Sequence, residues 1–440
     1  MKLDQTMESV FAKQKALKNQ IALTSASERK VKLEKLKQAI LANLDLIAKA
    51  LHQDLAKPMT DEPAMEAGKV IHDIDYAIAN LDGWMQPTAI EVQAVEGAPQ
   101  ASIKYEARGQ VLIMSAWNFP FSLALSPLVP AIAAGNTACI KTNDMAPATA
   151  EIVKMVIAEA FAEDEVAVFT GDVNEAIALQ SLPFDHVFFT GSPSVGKTVM
   201  SAAAKNLTSV TLELGGKCPA VVGRMDELQT ACANIAIGRT FNLGQTCLCV
   251  DYAIVPEEKL EEFVAGVGAV LEATYYSNGE YQAERNSRII DRRNFLRLKS
   301  YLDDAISKGA EVVFGGACDE EGLVIEPTIL TRVSDDALIM ENEIFGPILP
   351  VLTYQTLEDV VGIVNDKNKP LGLYIFSDDD EFTQSVLDQT SSGGVSVNGW
   401  ANHYFESGLP FGGVNHSGMG CYHGEHGFKE LSHARAIYKV

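Results

Sequence analysis

Between residues 111 and 213, short apolar runs alternate with helix-like segments, and this alternation restricts the possible fold more than any other feature of the chain. The runs are VLIMS, TACIK, VAVFTG, HVFFTG and SVTLEL. Between them lie LALSPLVPAIAAG, a helix expected over 147–160, a short helix, and a helix from residue 193. Apolar strands separated by helices predict βαβ units and a parallel sheet covered on both faces, a doubly wound domain of nucleotide-binding type. A second alternation from about 219 to 399 (AVVG, YAIVP, EVVFGG, IEPTILT, PVLTY, LYIFS, GVSVNG) predicts a second α/β unit with its own sheet. A length of 440 residues fits two or three domains.

The segment 109–140 carries no charged side chain, yet Pro120, Pro127 and Pro130 punctuate it. It therefore predicts a buried strand, turn, helix and second strand rather than a membrane helix. Leu33, Leu36, Ile40, Leu44, Ile47 and Leu51 recur at steps of three and four, which predicts one face of one long helix. Residues 89–108 read as a hairpin around Gly97 and Pro99. The final SHARAIYKV is short and β-like, suited to pair with that hairpin in this or another subunit.

A net charge of -23 argues against a nucleic-acid partner, because phosphate binding relies on Lys and Arg. Seven scattered cysteines do not make a disulfide framework and fit a reducing compartment. With no apolar core near the start, no export is expected, and the location expected is cytoplasmic.

Several motifs carry chemistry. FFTGSPSVGKT, residues 188–198, matches the phosphate-loop pattern G-x-x-x-x-G-K-S/T, but no apolar strand ending in a metal-holding acid accompanies it. The fingerprint G-x-G-x-x-G is absent, which does not exclude a dinucleotide. LELGGK ends an apolar strand on Glu213, where ligands of open α/β sheets bind. In FNLGQTCLCV, Cys247 follows a glycine-containing turn whose N–H groups favour a thiolate, with Cys249 two residues on. No metal site is expected, since CLC lacks ligand spacing, and His423 and His426 read as packing and surface. MENEIFGPILP places Glu343 and Phe345 before a Gly-Pro turn, and SAWNFPF places Asn118 among aromatics after a strand.

In this order SAWNFPF, AGNTACIK, FTGSPSVGK, LELGGK, FNLGQTC, EIFGPILP and LPFGGVNHSGMG together resemble the aldehyde dehydrogenase superfamily over essentially the whole chain. SGMGCYHGEHGF, WMQP, and His403 five residues after Asn398 resemble its class 3 branch, which includes fatty and coniferyl aldehyde dehydrogenases. The resemblance implies an α/β aldehyde dehydrogenase-like fold. A Rossmann-type cofactor domain would span 1–87 and 109–212, a catalytic domain 213–420, and a small β oligomerisation element 88–108 and 421–440.

It also implies roles. Cys247 would be the nucleophile, Asn118 with the Cys247 N–H the oxyanion hole, and Glu213 the general base. Lys141 and Asp144 would meet the adenosine ribose. Trp117, Gly191, Ser192, Gly196, Leu214 and Gly215 would hold the rest of the dinucleotide, with Glu343 and Phe345 clasping the nicotinamide ribose. Trp400 and His403 would line the substrate pocket, whose aromatic character suggests medium-chain aliphatic or aromatic aldehydes. The expected reaction is oxidation of an aldehyde to the acid through a thiohemiacetal and a thioester on Cys247. NAD is the expected cofactor, with NADP possible. The chain has Lys141-Thr142-Asn143-Asp144 where the family commonly has Lys-Pro-Ser-Glu, which retracts the ribose carboxylate. Cys218 stands where the family often has Ser. A homodimer is expected. No membrane anchor is expected, because the chain stops after SHARAIYKV. Alternatives are a coenzyme A-acylating dehydrogenase, a cofactor-independent thiol esterase and a phosphate-loop hydrolase.

Overall fold

The computed structural model describes residues 5–59, 62–92 and 100–440. The expected long helix around residue 43 is two helices, Ala26–Ala42 and Leu44–Leu55. Asn43, at φ -120° and ψ 15°, ends the first, and its amide donates to the Ala39 carbonyl and to Glu159 at 2.9 Å each. A side chain that bonds the backbone locally competes with the helical ladder, so the chain bends there. Leu44 consequently turns outward at 40% exposure, while Leu33, Leu36, Ile40, Ile47 and Leu51 are fully buried. Asp54 of the second helix accepts from the N–H groups of Ala148 and Thr149, capping the helix Pro147–Ala160, which has no side-chain cap of its own.

The strands β1 (Thr88–Ile90) and β2 (Gln100–Ala107) form the expected hairpin, although its turn, with Gly97 and Pro99, lies outside the described residues. The final strand Ser432–Lys439 pairs antiparallel with β2 of the same chain, from Gln100↔Lys439 to Ala107↔Ser432.

The first α/β alternation gives β3 (Gln110–Met114), β4 (Thr137–Lys141), β5 (Val166–Phe169), β6 (His186–Thr190) and β7 (Ser209–Glu213). These lie parallel in the order β5-β4-β3-β6-β7, with the short strand Gly418–Met419 antiparallel on β7. The strand order reverses between β3 and β6, and ligands of open α/β sheets bind outside the carboxyl ends of strands at such a point. The loops leaving β3 and β6 there carry Trp117 and Asn118, and Gly191 and Ser192. The uncharged segment 109–140 is β3, helices Ser122–Leu125 and Leu128–Ala134, and β4. No helix among the described residues is long and apolar enough to cross a membrane.

A second sheet of seven strands follows the order Glu311–Phe314, Thr328–Thr331, Ile348–Tyr354, β9 (Tyr252–Pro256), β8 (Pro219–Val222), Gly372–Phe376 and Gly394–Val397. Only the edge strand Glu311–Phe314 runs antiparallel to its neighbour. The chain passes from one sheet to the other through Leu214-Gly215-Gly216, between β7 and β8. That crossing places Glu213 at the junction of the two sheets.

Candidate active site

The segment that presents Cys247 is held in an unfavourable backbone shape. After the helix Gln229–Thr240, Asn242, Leu243 and Gly244 are successively left-handed, at φ 52°, 51° and 77°. Such non-glycine residues cost about 1–3 kcal/mol each and persist only where their surroundings over-determine them. Buried amides supply that constraint. Gln245 donates to the carbonyls of Asn242 (3.1 Å) and Arg288 (2.9 Å) and accepts from the Ile290 N–H (3.0 Å). Asn242 donates to the Asn118 carbonyl at 2.9 Å, and Asn118 returns a bond to the Gln245 carbonyl at 3.1 Å. Gly244 is required sterically, since a Cβ there would lie 2.2 Å from the Gly346 oxygen.

The turn separates the two cysteines. Cys249 is buried, and its thiol is shared between the carbonyls of Gly238 (3.1 Å) and Arg239 (3.2 Å). Cys247 is half-buried, and the N–H groups of Cys247 and Leu248 favour its thiolate. Burial is the larger effect and, with Glu343 and Glu213 nearby, pushes the thiol up to about 12. Behind it, Cys218 donates its S–H to the Cys247 carbonyl at 3.4 Å and accepts from the Gly372 N–H at 3.2 Å.

Glu213, at the carboxyl end of β7, is 4% exposed, and neither carboxyl oxygen has a hydrogen-bond partner. Burial, reinforced by Glu430, holds this carboxyl well above the usual range, which makes it a stronger base than an exposed carboxylate.

Two cavities meet at these residues. A polar one of about 2140 Å³ runs from Trp117 and Asn118 past Gly191, Ser192 and Lys197 to Glu343 and Phe345. An apolar one of about 800 Å³ is walled by Phe119, Phe241, Trp400, Tyr404 and Phe405. Both are lined by Leu123, Thr190, Glu213, Leu214 and Cys247.

The polar cavity fits a dinucleotide. Ser192 caps the helix Pro193–Ala204 with its hydroxyl 3.5 Å from the Val195 N–H, and the start of that helix faces the cavity, as anion binding requires. Gly196 lets the helix approach Leu214, whose Cδ2 would be 2.8 Å from a Cβ there. Glu343 folds over Gly215, where a Cβ would lie 2.0 Å from its carboxylate. Its Oε1 has no partner, and burial pushes its carboxyl up to about 8. Phe345 packs edge-on against Trp117 at 5.3 Å.

Beneath this clasp, Lys217 donates to Asp251 (2.5 Å) and to the carbonyls of Ile339 (2.8 Å) and Asn342 (3.1 Å). Arg239 joins Asp251 to the Gly346 carbonyl. Lys141 and Asp144 are not part of the cavity wall. The Lys141 ammonium donates to the carbonyls of Thr142 and Gly171 at 2.7 Å each, and Asp144 is exposed.

On the apolar side, Trp400 lines the wall and is anchored by its indole N–H on the Leu248 carbonyl at 2.8 Å. His403 does not. It sits behind the wall at 6% exposure, with Nδ1 on the Ser396 hydroxyl at 2.8 Å, because the helical turn Asn402–Phe405 points Tyr404 and Phe405 outward instead. Sequence reasoning did not find Glu66 and Lys69, which also line the apolar cavity, from the helix Glu62–Trp84. They lie on a helix far away in the chain, and no local pattern marks them. Glu66 bonds Lys57 at 2.7 Å and the N–H groups of Phe121 and Ser122, and Lys69 pairs with Asp73 and lies over the Tyr404 ring at 5.2 Å.

Residues 3–437 match the aldehyde dehydrogenase family. The chain is 39% identical to a 4,4'-diaponeurosporen-aldehyde dehydrogenase of Staphylococcus aureus, over 98% of this chain and 94% of that protein. It is 38% identical to rat aldehyde dehydrogenase family 3 member A2, over 92% of this chain and 82% of the relative. The solved substrate-bound state of Staphylococcus aureus AldH superposes with a TM-score of 0.94 at 38% identity, covering 99% of this chain and 94% of that one. The fold, the glycine-lined polar cavity and these relatives together identify the chain, which belongs to the aldehyde dehydrogenase family and oxidises an aldehyde with a nicotinamide dinucleotide.

Proposed function

We propose that Cys247 is the nucleophile, receiving an aldehyde from the apolar cavity while the polar cavity holds the dinucleotide. The observation that carries this reading is that Cys247 and Glu213 line both cavities. The Cys247 thiol gives its proton to solvent as its sulfur bonds to the carbonyl carbon and the C=O π pair moves to oxygen, which the Asn118 amide and the Cys247 N–H hold. The aldehyde C–H bond would then break with its electron pair passing to the dinucleotide, leaving the thioester. Asn118 spends one amide proton on Gln245, leaving the second for that oxygen. The bound dinucleotide supplies the two-electron acceptor, held by Gly191, Ser192, Gly196, Leu214 and Gly215 on one side and by Trp117, Glu343 and Phe345 on the other. Its adenosine end extends past the cavity wall towards Lys141 and Asp144, with NAD preferred and NADP tolerated.

The thioester left on Cys247 is hydrolysed. Glu213, ionised, removes a proton from water while the water oxygen bonds to the thioester carbon. The C–S bond then breaks, releasing the acid and the thiolate. Such a base favours water over coenzyme A as the acceptor, since thiolysis does not need it. The aromatic wall around Trp400 supports medium-chain aliphatic or aromatic aldehydes as substrates. We assign the cofactor domain to 1–87 and 109–212, the catalytic domain to 213–420, and the oligomerisation element to 88–108 and 421–440. A cytoplasmic homodimer is the working form: among the described residues the strand Ser432–Lys439 leaves one edge unpaired, with Tyr438 58% exposed, as a partner would use.

The test is NADH absorbance with an aldehyde panel, run with rapid-quench mass spectrometry of Cys247 in wild type and Glu213→Gln. An acyl adduct on Cys247 that persists in Glu213→Gln supports the assignment. NADH formation with no adduct at any time would sink it.

A further inference from the structure

Strand β7 carries a polar stripe. Its sequence SVTLE alternates, so Val210 and Leu212 pack with Leu112, Val187 and Leu179, while Ser209, Thr211 and Glu213 share the opposite face. A hydrogen-bonded chain covers that face. Arg108 donates to the Ser209 hydroxyl at 3.0 Å, Ser209 meets His186 Nδ1 at 2.8 Å, His186 Nε2 meets the Thr211 hydroxyl at 3.0 Å, and Thr211 donates to Glu430 Oε1 at 2.6 Å.

The proton order follows. Thr211 has one proton, given to Glu430, so it accepts from His186 Nε2–H. Glu430 ends the helix Gly424–Glu430 and is half-buried, so it touches both this chain and solvent. Gly420 makes room for it, since a Cβ there would lie 2.6 Å from Glu430 Oε1.

A general base must give up its proton in every turnover, and Glu213 is buried with both oxygens unpartnered. Residues two apart on a strand are roughly 7 Å apart, within reach of one bridging water. Glu430 is the partly exposed carboxylate beside that position on the same face, and its Oε2 takes no hydrogen bond from a described residue.

We propose that Glu430 is the proton outlet of Glu213, a relay residue held in place by Thr211. The inference rests on the reading of Glu213 as the base. After hydrolysis, the O–H bond of protonated Glu213 breaks as one forms on the bridging water, which passes a proton to Glu430 Oε2. Glu430 releases it to solvent, and no electrons are exchanged. The groups facing Glu430 are Arg108, whose guanidinium donates to the Glu430 carbonyl at 2.6 Å, neutral His186, Cys421 and Glu213 itself. Glu430 is also the one charge that reinforces burial in raising Glu213.

The experiment measures formation and decay of acyl-Cys247 by rapid-quench mass spectrometry, against pH, in the full-length enzyme and in Glu430→Gln, Glu430→Asp, Thr211→Val and Glu213→Gln. The expected result is unchanged formation in Glu430→Gln and Thr211→Val, with decay slowed about tenfold or more. Glu430→Asp should recover part of the rate, and imidazole should restore decay in Glu430→Gln. Wild-type decay with an unaltered pH profile in Glu430→Gln, alongside slow decay in Glu213→Gln, overturns the relay and leaves the base intact. Wild-type decay in Glu213→Gln overturns the base reading. Equal loss of formation and decay in both Glu430→Gln and Thr211→Val overturns the relay in favour of a structural role.

Discussion

The Lys217 ammonium lies 2.5 Å from an Asp251 carboxylate oxygen, with side-chain exposures of 6% and 1%. Through the carbonyls of Ile339 and Asn342 on one side and the Ile344 N–H on Asp251 on the other, this pair fixes the loop that carries Glu343 and Phe345. Removing one partner of a buried pair leaves an uncompensated charge, which costs about 3–5 kcal/mol. We therefore expect Lys217→Met to lower the unfolding free energy, measured by urea titration, by about that amount. In the protein that remains folded, KM for NAD should rise more than KM for the aldehyde. Equal increases would mean that the pair does not act through the clasp.

The two cysteines of the opening motif should behave differently. Cys247→Ser should lose more than about a thousandfold in kcat/KM, whereas Cys249→Ser, whose thiol faces backbone carbonyls and lines neither cavity, should stay within a few-fold of wild type. Parallel NADH assays decide this, and comparable loss in both variants would refute the assignment.

The Cys247 thiol, pushed up to about 12 by burial, is almost wholly protonated at neutral pH in the protein without cofactor. The thiolate is the reactive form and grows with pH below the pKa, so alkylation of Cys247 by iodoacetamide should rise about tenfold per pH unit between roughly 7 and 10. Adding NAD, whose nicotinamide ring is cationic, should move the profile to lower pH. Peptide mass spectrometry separates Cys247 from the exposed Cys318. A plateau below pH 8 without NAD would contradict this.

His403 is held neutral by burial, its pKa lowered to about 4. The folded form binds fewer protons than the unfolded chain, whose histidines titrate near 6.5. Stability is therefore intact above about pH 6.5 and lost progressively towards pH 4, on the order of 3 kcal/mol for this residue. His403→Gln should flatten that part of the stability curve in urea titrations, and an unchanged slope would show that His403 does not contribute.

Gly244→Ala tests the nucleophile turn. At φ 77°, with the Gly346 oxygen 2.2 Å from the added Cβ, the turn must move, and the combined strain and overlap should cost about 3 kcal/mol or more. Activity should fall beyond what the folded fraction explains, as measured by circular dichroism with activity per folded molecule. Full specific activity would argue that Cys247 tolerates displacement of its loop.

Much of this protein was legible in its letters because the relevant signals are local. Apolar runs alternating with helices specified the parallel sheets, and the strand-end motif LELGGK sits where sheet geometry puts ligands. What the sequence could not decide depended on partners distant in the chain. Asn43 broke a continuous apolar period because it found Glu159 and the Ala39 carbonyl. His403 turned behind the wall that Tyr404 faces, since a helical turn rotates each residue by roughly 100°. Glu66 and Lys69 came to the apolar cavity from a helix more than a hundred residues before Cys247, and no local pattern encodes such a contact. Burial, which raises Cys247, Glu213 and Glu343, is likewise set only when the two sheets close over them. The sequence determined which groups could react; the tertiary structure decided which of them meet and in what state of protonation, because desolvation and distance exist only once the chain has folded.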